Sequence, residues 1–492
     1  MTGKSDFVDY EPLSKSPRAQ TPENEDLGIR RTVSQHPEFV EPWRPVEARQ
    51  SELFSDESTL TNSQPKQLET RPVVLVQPAL RSGHAVSFIG LFLFTMLVFV
   101  RPYELSPWLG WLSRGALITA IATLLVFIPT QLGLENRITV RTREINLVLL
   151  LLLLCLISVP FALDKLRAWN AFVEYAKVVV MFVVMVNVVR TEKRLKALLL
   201  LILVISMILS VAGVNDYATG NLALGGKRIA GVIGGLFDNP NDLAIHLVTF
   251  LPIIIGLGLG ARFLPARMIY FAAALCVLAG IVVTFSRAGF LGLIVVFGTL
   301  VLKLGRGNRF LVGMVCVVLI TFFLILAPGT YRQRLTTTGD ESAQARTGEL
   351  KRSIFLAVRH PFFGVGMDNF VIFSDTEHAT HNAYTQVASE VGLPAVAVYI
   401  LFLIGAIKRM RRLPHPREVE KKKRALPYLA VGLQASLAGY MVVSFFASVA
   451  YLWYVYYLVG YAICVSFLIE SPESAEKRVG GPNASIGPRI SC

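Results

Sequence analysis

Residues 377–392, EHATHNAYTQVASEVG, lie where the longest polar interval in the hydrophobic part of the chain ends and an apolar run begins at about Ala383. Two imidazoles, those of His378 and His381, therefore stand beside a carboxylate and an amide at a predicted membrane boundary. Water reaches side chains at such a boundary while neighbouring helices exclude lipid. The position suits groups that carry out chemistry.

The composition is that of a membrane protein. The chain has 492 residues, of which 53% are hydrophobic and 17% charged, and its mean hydropathy is +0.54. A soluble globular domain is less apolar than this. The formal net charge of +14 would indicate nucleic acid in a soluble protein, but most of the Lys and Arg residues fall in short loops on one side of the predicted helices. Such a distribution is a topology signal, so we expect no nucleic-acid partner.

Apolar runs of about 20 residues, the length that spans a bilayer core, recur along the chain. They predict an all-α polytopic membrane protein with about twelve transmembrane helices. The runs lie at 85–100, 109–129, 145–163, 169–189, 195–213, 241–259, 267–284, 288–304, 309–327, 383–406, 427–447 and 450–469.

The polar segments predict how the chain is organised around these helices. Residues 1–84 are rich in Pro, Ser and charged residues, which predicts a disordered N-terminal tail. The even-numbered connections carry most of the cations, so both this tail and the C-terminal tail at 470–492 are expected in the cytoplasm. The transmembrane domain covers 85–469. Its largest outward loop, 328–382, lies between helices 9 and 10, and loops of this length are usually functional.

Two outward-facing arginines are candidate ligands for an anion. Arg287 lies between two apolar runs, where a buried charge costs at least about 2.5 kcal/mol. It should face a polar cavity or an anion, unless the side chain simply snorkels to the interface. Arg346 opens a predicted amphipathic helix at 346–358 that lies on the membrane surface. A lipid-linked diphosphate suits both cations, and headgroup contact is the plainer alternative.

The histidines at the boundary are candidates for proton transfer. His381 precedes Asn382 at a predicted helix start, and His378 lies one turn earlier. An imidazole, with its ordinary pKa of about 6.5, suits a general base or a hydrogen-bonding group for a sugar hydroxyl. The alternatives are a structural histidine and a zinc site completed by Asp375 or Glu377. We expect no metal, because no HExxH motif or Cys partner is present.

Three further residues are candidates for substrate binding. Glu390, in the same predicted helix, could orient a base or a sugar hydroxyl, or pair with an Arg. Lys177 forms a buried pair with Glu174 three residues earlier, or points into a cavity toward phosphate. Asn241 ends the motif NPN at 239–241, a strong helix start whose free backbone N–H groups could hold an anion or could be simply capped.

Taken in order, these motifs resemble the O-antigen ligase/polymerase superfamily, which comprises bacterial glycan ligases and Wzy-type polymerases. The resemblance covers about residues 210–400 and implies a large periplasmic loop and a fold related to the lipid-dependent (GT-C-like) glycosyltransferases. Its features are Asn239-Pro240-Asn241, Ser286-Arg287, the outer loop with Arg346, Pro361-Phe-Phe-Gly364-Val-Gly366, His381-Asn382-Ala-Tyr384 and Glu390-Val-Gly392.

The resemblance also implies an activity. It is the inverting, metal-independent transfer of a glycan from a polyprenyl (undecaprenyl) diphosphate carrier to an acceptor hydroxyl, without a cofactor. The reaction takes place at the periplasmic face of the bacterial inner membrane. By position, Arg287 and Arg346 would bind the diphosphate and His381 would activate the acceptor.

The acceptor and the class of protein stay open at this point. A polymerase of O-antigen or exopolysaccharide uses another lipid-linked saccharide as acceptor, whereas a ligase uses lipid A-core or a protein. The alternative is a multispanning transporter or flippase for a lipid-linked or anionic solute. Transporters place their ionisable residues near the bilayer midplane on broken helices, whereas the candidates here cluster at the outer face. That placement favours the enzyme.

Overall fold

The protein is an all-α polytopic membrane protein, apart from one short pair of strands. The computed structural model describes residues 83–105, 107–223, 228–229, 239–304, 310, 313–314, 317, 321, 341–374, 379–420 and 423–470. The helices are α1 (Ala85–Val100), α2 (Pro102–Leu105), α3 (Gly115–Glu135), α4 (Arg143–Ser158), α5 (Lys165–Val188), α6 (Glu192–Thr219), α7 (Pro240–Gly260), α8 (Leu264–Val283), α9 (Arg287–Lys303), α10 (Glu341–Arg359), α11 (Ala383–Glu390), α12 (Leu393–Arg411), α13 (Ala425–Val443) and α14 (Trp453–Glu470). The strands β1 (Leu222–Ala223) and β2 (Arg228–Ile229) pair antiparallel.

Within the described ranges, nine helices are long and apolar enough to cross a membrane, and α1 is a shorter apolar helix of 16 residues. The polytopic helical architecture predicted from the sequence is therefore confirmed. Most of the predicted run at 309–327 lies outside the described residues, as do the predicted tails except for their edges at 83–84 and 470.

The centre of the bundle is α7, which packs against α8, α9 and α13. Two glycines let α7 and α13 approach each other closely. A Cβ atom on Gly256 would lie 2.8 Å from the carbonyl oxygen of Tyr428, and one on Gly432 would lie 2.5 Å from that of Pro252. Small residues at helix crossings allow such backbone approach in membranes. The position of α7, and hence of its first turn, is fixed by this packing.

Ion pairs join helix ends on one side of the bundle, here called the basic side. Arg409 Nη2 lies 2.7 Å from Glu144 Oε2, joining the end of α12 to the start of α4. Arg190 Nη1 lies 2.5 Å from Glu135 Oε1, joining the end of α5 to the end of α3. Both carboxylates are largely buried. The cationic connections predicted to share one face of the membrane lie together on this side.

The opposite side, here called the loop side, holds α10, α11 and the starts of α5, α7, α9 and α12. Helix α9 ends on the basic side, because His415 Nε2 lies 2.7 Å from the carbonyl oxygen of Lys303. The described chain resumes in α10 on the loop side, where α10 packs against α11. The crossing that the sequence predicts between residues 304 and 341 stays a prediction, because most of that interval lies outside the described residues.

The predicted single run at 383–406 is wrong, because it consists of two helices, α11 and α12. The break lies at Gly392, whose φ of 108° belongs to the region that favours glycine. The peptide turns there so that the N–H of Leu393 donates to the carbonyl oxygen of Pro361 at 2.7 Å. Hydropathy counts apolar residues and does not register such a turn.

Replacement of Gly392 by alanine should destabilise the protein. A Cβ atom at this position would lie 2.4 Å from the carbonyl oxygen of Phe362, and the positive φ adds strain of at least about 1 kcal/mol. We expect Gly392→Ala to lower the thermal unfolding temperature in detergent. The matched control is Gly298→Ala in α9, where a Cβ atom meets nothing within 4 Å. Equal unfolding temperatures for the two variants would contradict the packing described here.

Candidate functional site

Polar side chains cap four helix starts on the loop side. Each of Asp164, Asn239, Ser286 and Asn382 accepts a hydrogen bond from a backbone N–H in the first turn of the helix that follows. The N-terminal end of a helix carries a partial positive charge, and its remaining N–H groups point at whatever lies beyond. The loop side therefore presents several helix ends that favour negative groups.

Arg287 is placed by a tight turn between α8 and α9. Phe285 has a φ of 46°, and Ser286 caps α9 by accepting from the N–H of Gly289 at 3.3 Å. The same Ser286 hydroxyl donates to Asn241 Oδ1 at 3.0 Å. Arg287, the exposed first residue of α9, thus follows a residue bonded directly to the first turn of α7. The structure brings Arg287 and Asn241 to one corner of the loop side.

His381 and Asn382 form a second turn, at the start of α11. His381 is half-buried with a φ of 52°. The buried Asn382 side chain accepts from the N–H groups of Tyr384 and Thr385 at 2.9 and 3.1 Å. Thr380 Oγ1 lies 3.0 Å from Ser448 Oγ, which ties this turn to the connection between α13 and α14. The helix start predicted at Asn382 is confirmed.

The connection at 443–448 lies between these two corners. A Cβ atom on Gly292 in α9 would lie 2.3 Å from Val443 Cγ1, so α9 packs directly against the end of α13. On the other flank, the Tyr384 hydroxyl donates to the carbonyl oxygen of Met441 at 2.8 Å, and Ser444 Oγ donates to that hydroxyl at 3.3 Å. Helix α9, which begins at Arg287, and the turn at His381 therefore both contact the end of α13 or the connection that follows it.

The motif PFFGVG at 361–366 docks onto the segment at 389–393. The N–H groups of Val365 and Gly366 donate to the carbonyl oxygens of Ser389 and Glu390, each at 2.9 Å. The bond from Leu393 to Pro361 completes the set. A Cβ atom on Gly364 would lie 2.3 Å from the Glu390 carbonyl carbon. The two motifs thus form one structural unit.

Two residues that the sequence analysis did not single out tie this unit to α5. Asn369, which is fully buried, accepts from the N–H of Asp164 at 2.7 Å and donates to its carbonyl oxygen at 3.1 Å. Asp368 Oδ2 accepts from Arg167 Nε at 2.9 Å. The signal that the sequence offers is an Asp-Asn pair that follows the PFFGVG motif after a single intervening residue.

Glu390 is 3% exposed, at the end of α11 and before the candidate span of α12. Its carboxylate lies near the backbone N–H of Asp368 and the Tyr451 hydroxyl. Within the described residues, neither Oε2 of Glu390 nor that hydroxyl makes a hydrogen bond of normal geometry. Burial raises the pKa of Glu390 to about 8. Of the predicted alternatives for Glu390, an ion pair with an Arg is not formed among the described residues, since Arg167, the arginine whose charge acts on Glu390, pairs with Asp368 instead.

Arg346 lies inside α10 rather than at its start, because the helix begins at Glu341. The predicted amphipathic helix is confirmed, but its apolar residues do not all face the protein. Leu356 and Ala357 are buried, whereas Ile354 and Val358 are 49% and 70% exposed. Part of the apolar surface is therefore left toward the surroundings of the bundle, as expected of a helix at a membrane surface.

Lys177 lies apart from these corners, in the middle of α5. Its ammonium contacts Glu174 Oε1 at 2.5 Å, so the predicted ion pair is confirmed. The pair is not buried, however, since the Glu174 side chain is 72% exposed. Apolar neighbours along the chain suggested burial, and only the packing of the helices decides which face is covered.

The predicted zinc alternative involves residues outside the described part of the chain. His378, Asp375 and Glu377 all lie in the interval 375–378. Among the described residues, no group of three or more His, Cys, Asp or Glu side chains could hold a metal ion.

Comparison with known proteins gives one family match. Residues 272–400 match the model of a family described as O-antigen ligase. The matched segment contains Arg287, Arg346, the PFFGVG motif, His381 and Glu390. No curated protein matches the chain.

Glu390→Gln should flatten the pH dependence of stability. The folded-state pKa of Glu390 is raised to about 8 from an ordinary value of 4.5, so the folded protein binds this proton more tightly than the unfolded chain does. The stabilisation is fully present below 4.5 and is lost as the pH rises toward about 8. We expect the thermal unfolding temperature of the wild type to fall over this range, and that of Glu390→Gln to fall less.

The control for this measurement is Glu192→Gln. Glu192 forms an i,i+4 pair with Lys196, and both side chains are 44% exposed. This variant should keep the wild-type pH dependence. A Glu390→Gln profile that overlies the wild-type profile would show that the carboxyl group does not titrate in this range.

Proposed function

Since this chain belongs to the O-antigen ligase/polymerase family, we propose that it is an inverting membrane glycosyltransferase. It moves a glycan from a polyprenyl diphosphate carrier, such as undecaprenyl diphosphate, to an acceptor hydroxyl. The observation that supports this most is that the helix beginning at Arg287 and the turn at His381 both contact the end of α13 or the connection that follows it. A cation and a base are the two groups that the transfer needs.

The leaving group calls for positive charge. As the bond between the anomeric carbon and the phosphate oxygen breaks, negative charge grows on the diphosphate. Arg287 presents a guanidinium, which is charged at every physiological pH and matches phosphate oxygens with two parallel donors. The helix start at α9 adds the partial charge of its dipole. Arg346, on α10, is proposed as the second ligand of the diphosphate.

The acceptor calls for a base. In the proposed step, the imidazole of His381 takes the proton from the acceptor hydroxyl while the oxygen attacks the anomeric carbon from the face opposite the diphosphate. One bond forms and one breaks at that carbon, so its configuration inverts. Asn382 fixes the His381 backbone through the cap of α11, and Glu390 holds the far end of the same helix against the PFFGVG motif. His378 and Asn241 are proposed as further substrate contacts.

The sidedness of the reaction follows from the charge pattern. Cationic connections face the cytoplasm in the positive-inside rule, so the loop side is proposed to face the periplasm across the bacterial inner membrane. Lipid-linked repeat units are the donors, and the acceptor is a second lipid-linked saccharide, lipid A-core or a protein. The first acceptor defines a polymerase of polysaccharide assembly and the other two define a ligase.

Transfer of glycan by the purified protein tests the proposal. We expect wild type to transfer glycan from a polyprenyl-diphosphate donor in the presence of EDTA. Arg287→Ala and His381→Ala should each lower the rate by roughly 100- to 1000-fold, the usual effect of removing one contact to the developing charge. Arg287→Lys should recover only part of the loss, since an ammonium cannot make the paired contact.

The control is Arg267→Ala, in the first turn of α8 at the basic side, which should leave the rate unchanged. Circular dichroism and size-exclusion profiles establish that each variant is folded. Full activity of folded Arg287→Ala and His381→Ala would overturn the assignment of the site. Loss of wild-type activity in EDTA that zinc restores would overturn the metal-independent reaction.

A further inference from the structure

A polar stripe runs down one face of α5 from its loop-side end. Arg167, Asn170, Glu174 and Lys177 follow each other at intervals of three, four and three residues, which places them along one face of a helix. Lys177 stands twelve residues beyond Lys165, about 18 Å along the helix axis. The stripe therefore reaches deep into a segment that is otherwise long and apolar enough to span the membrane.

The stripe is open along its length and closed at its inner end. Asn170 is exposed, and the side chains of Glu174 and Lys177 are 72% and 32% exposed. The next residues on the same face, Met181 and Val184, are each only 1% exposed. A face turned to lipid along the whole span would stay exposed beyond Lys177. The covered residues instead form a floor beneath the lysine.

The open face of α5 requires contact with water rather than with lipid. A charged side chain in the hydrocarbon core is costly, so ionisable residues within membrane spans almost always face a bundle interior or a water-filled cavity. The contrast with α3 is direct. Its exposed residues at a comparable depth, Ile121, Leu125 and Ile128, are all apolar, as a lipid-facing surface demands.

The chemistry of the stripe indicates the class of ligand. Arg167 is paired with Asp368 and Lys177 with Glu174, so the charges of the stripe and of Asp368 together cancel. An anion such as diphosphate would meet the Glu174 carboxylate. Sugar hydroxyl groups both donate and accept, and they can bond to an amide, a carboxylate and an ammonium together. Through Asp368, the rim of the stripe also adjoins the docked PFFGVG unit.

We propose that the loop-side half of α5 is one wall of a water-filled recess that binds the saccharide of the lipid-linked donor. Asn170, Glu174 and Lys177 are its hydrogen-bonding groups. The choice of ligand rests on the proposed function, whereas the recess itself does not. The diphosphate of the same donor would bind at the Arg287 corner.

Cysteine labelling in lipid nanodiscs tests the recess. Val173 is half-buried and lies beside the stripe, so Val173→Cys reports on it without removing a polar group. We expect a charged, membrane-impermeant methanethiosulfonate to label Val173→Cys at least about tenfold faster than Leu125→Cys, because thiolate forms only where water reaches the sulfur. Wild type gives the background of the native cysteines. Equal, background-level labelling at both positions would overturn the recess.

Protection from the label tests the ligand. Two probes are compared: polyprenyl-diphosphate-linked glycan extracted from the organism that encodes this chain, and undecaprenyl diphosphate without sugar. We expect only the glycan-linked lipid to slow the labelling of Val173→Cys. Adding Glu174→Gln and Lys177→Met together should raise the glycan concentration that is needed by roughly tenfold or more, as loss of hydrogen bonds to charged groups does.

The remaining outcomes would contradict the proposal. Equal protection by both lipids would overturn the saccharide assignment in favour of a diphosphate site, and protection by neither would overturn ligand binding at this wall. Labelling measures access rather than turnover. Failure of the proposed transfer reaction would therefore appear as inactive wild type with labelling unchanged, and failure of the recess as loss of labelling with transfer intact.

Discussion

Three backbone hydrogen bonds between 361–366 and 389–393 hold the loop side together. They join a segment outside the membrane to the start of a spanning helix, where an unpaired N–H or carbonyl group would be costly because lipid cannot replace the missing bond. Gly364 and Gly392, both with positive φ, allow the two backbones to meet. His381 and Asn382 lie within the segment that this junction closes. Their position relative to the bundle depends on it.

Elsewhere on the loop side, polar side chains form hydrogen bonds with backbone groups or with each other and so hold the turns in place. Asn369 pairs with both backbone groups of Asp164, Asn382 satisfies two N–H groups of α11, and Ser286 joins the starts of α9 and α7. Each bond fixes a turn that carries a candidate functional residue. A catalytic group held in this way loses little entropy when substrate binds. Rigid turns on a packed bundle are therefore suited to positioning a reactive imidazole.

Charge is handled differently at the two ends of the bundle. On the basic side, the carboxylates of Glu144 and Glu135 are largely enclosed by arginines, which offsets the cost of taking them out of water. On the loop side, Glu390 is enclosed without an ion pair to any cation among the described residues, and burial, together with the nearby Asp368 carboxylate, raises its pKa. Glu174 and Lys177 form the third case, a pair that is not enclosed by the protein. The first arrangement joins helix ends, whereas Glu390 lies in the helix that begins at the His381 turn and the Glu174–Lys177 pair lies farther along α5.

The sequence by itself determined the helical membrane architecture, the basic side and the helix starts at Asn239 and Asn382. Hydropathy, charge and capping are local properties that need only neighbouring residues to be read. Only the tertiary structure decided the break at Gly392, the roles of Asp368 and Asn369, which residues of α10 are covered, and the exposure of Glu174. Each of these features depends on contacts between segments that are far apart in the chain. A local sequence pattern cannot predict such contacts, and the hydrogen bond between Asn369 and Asp164 is an example.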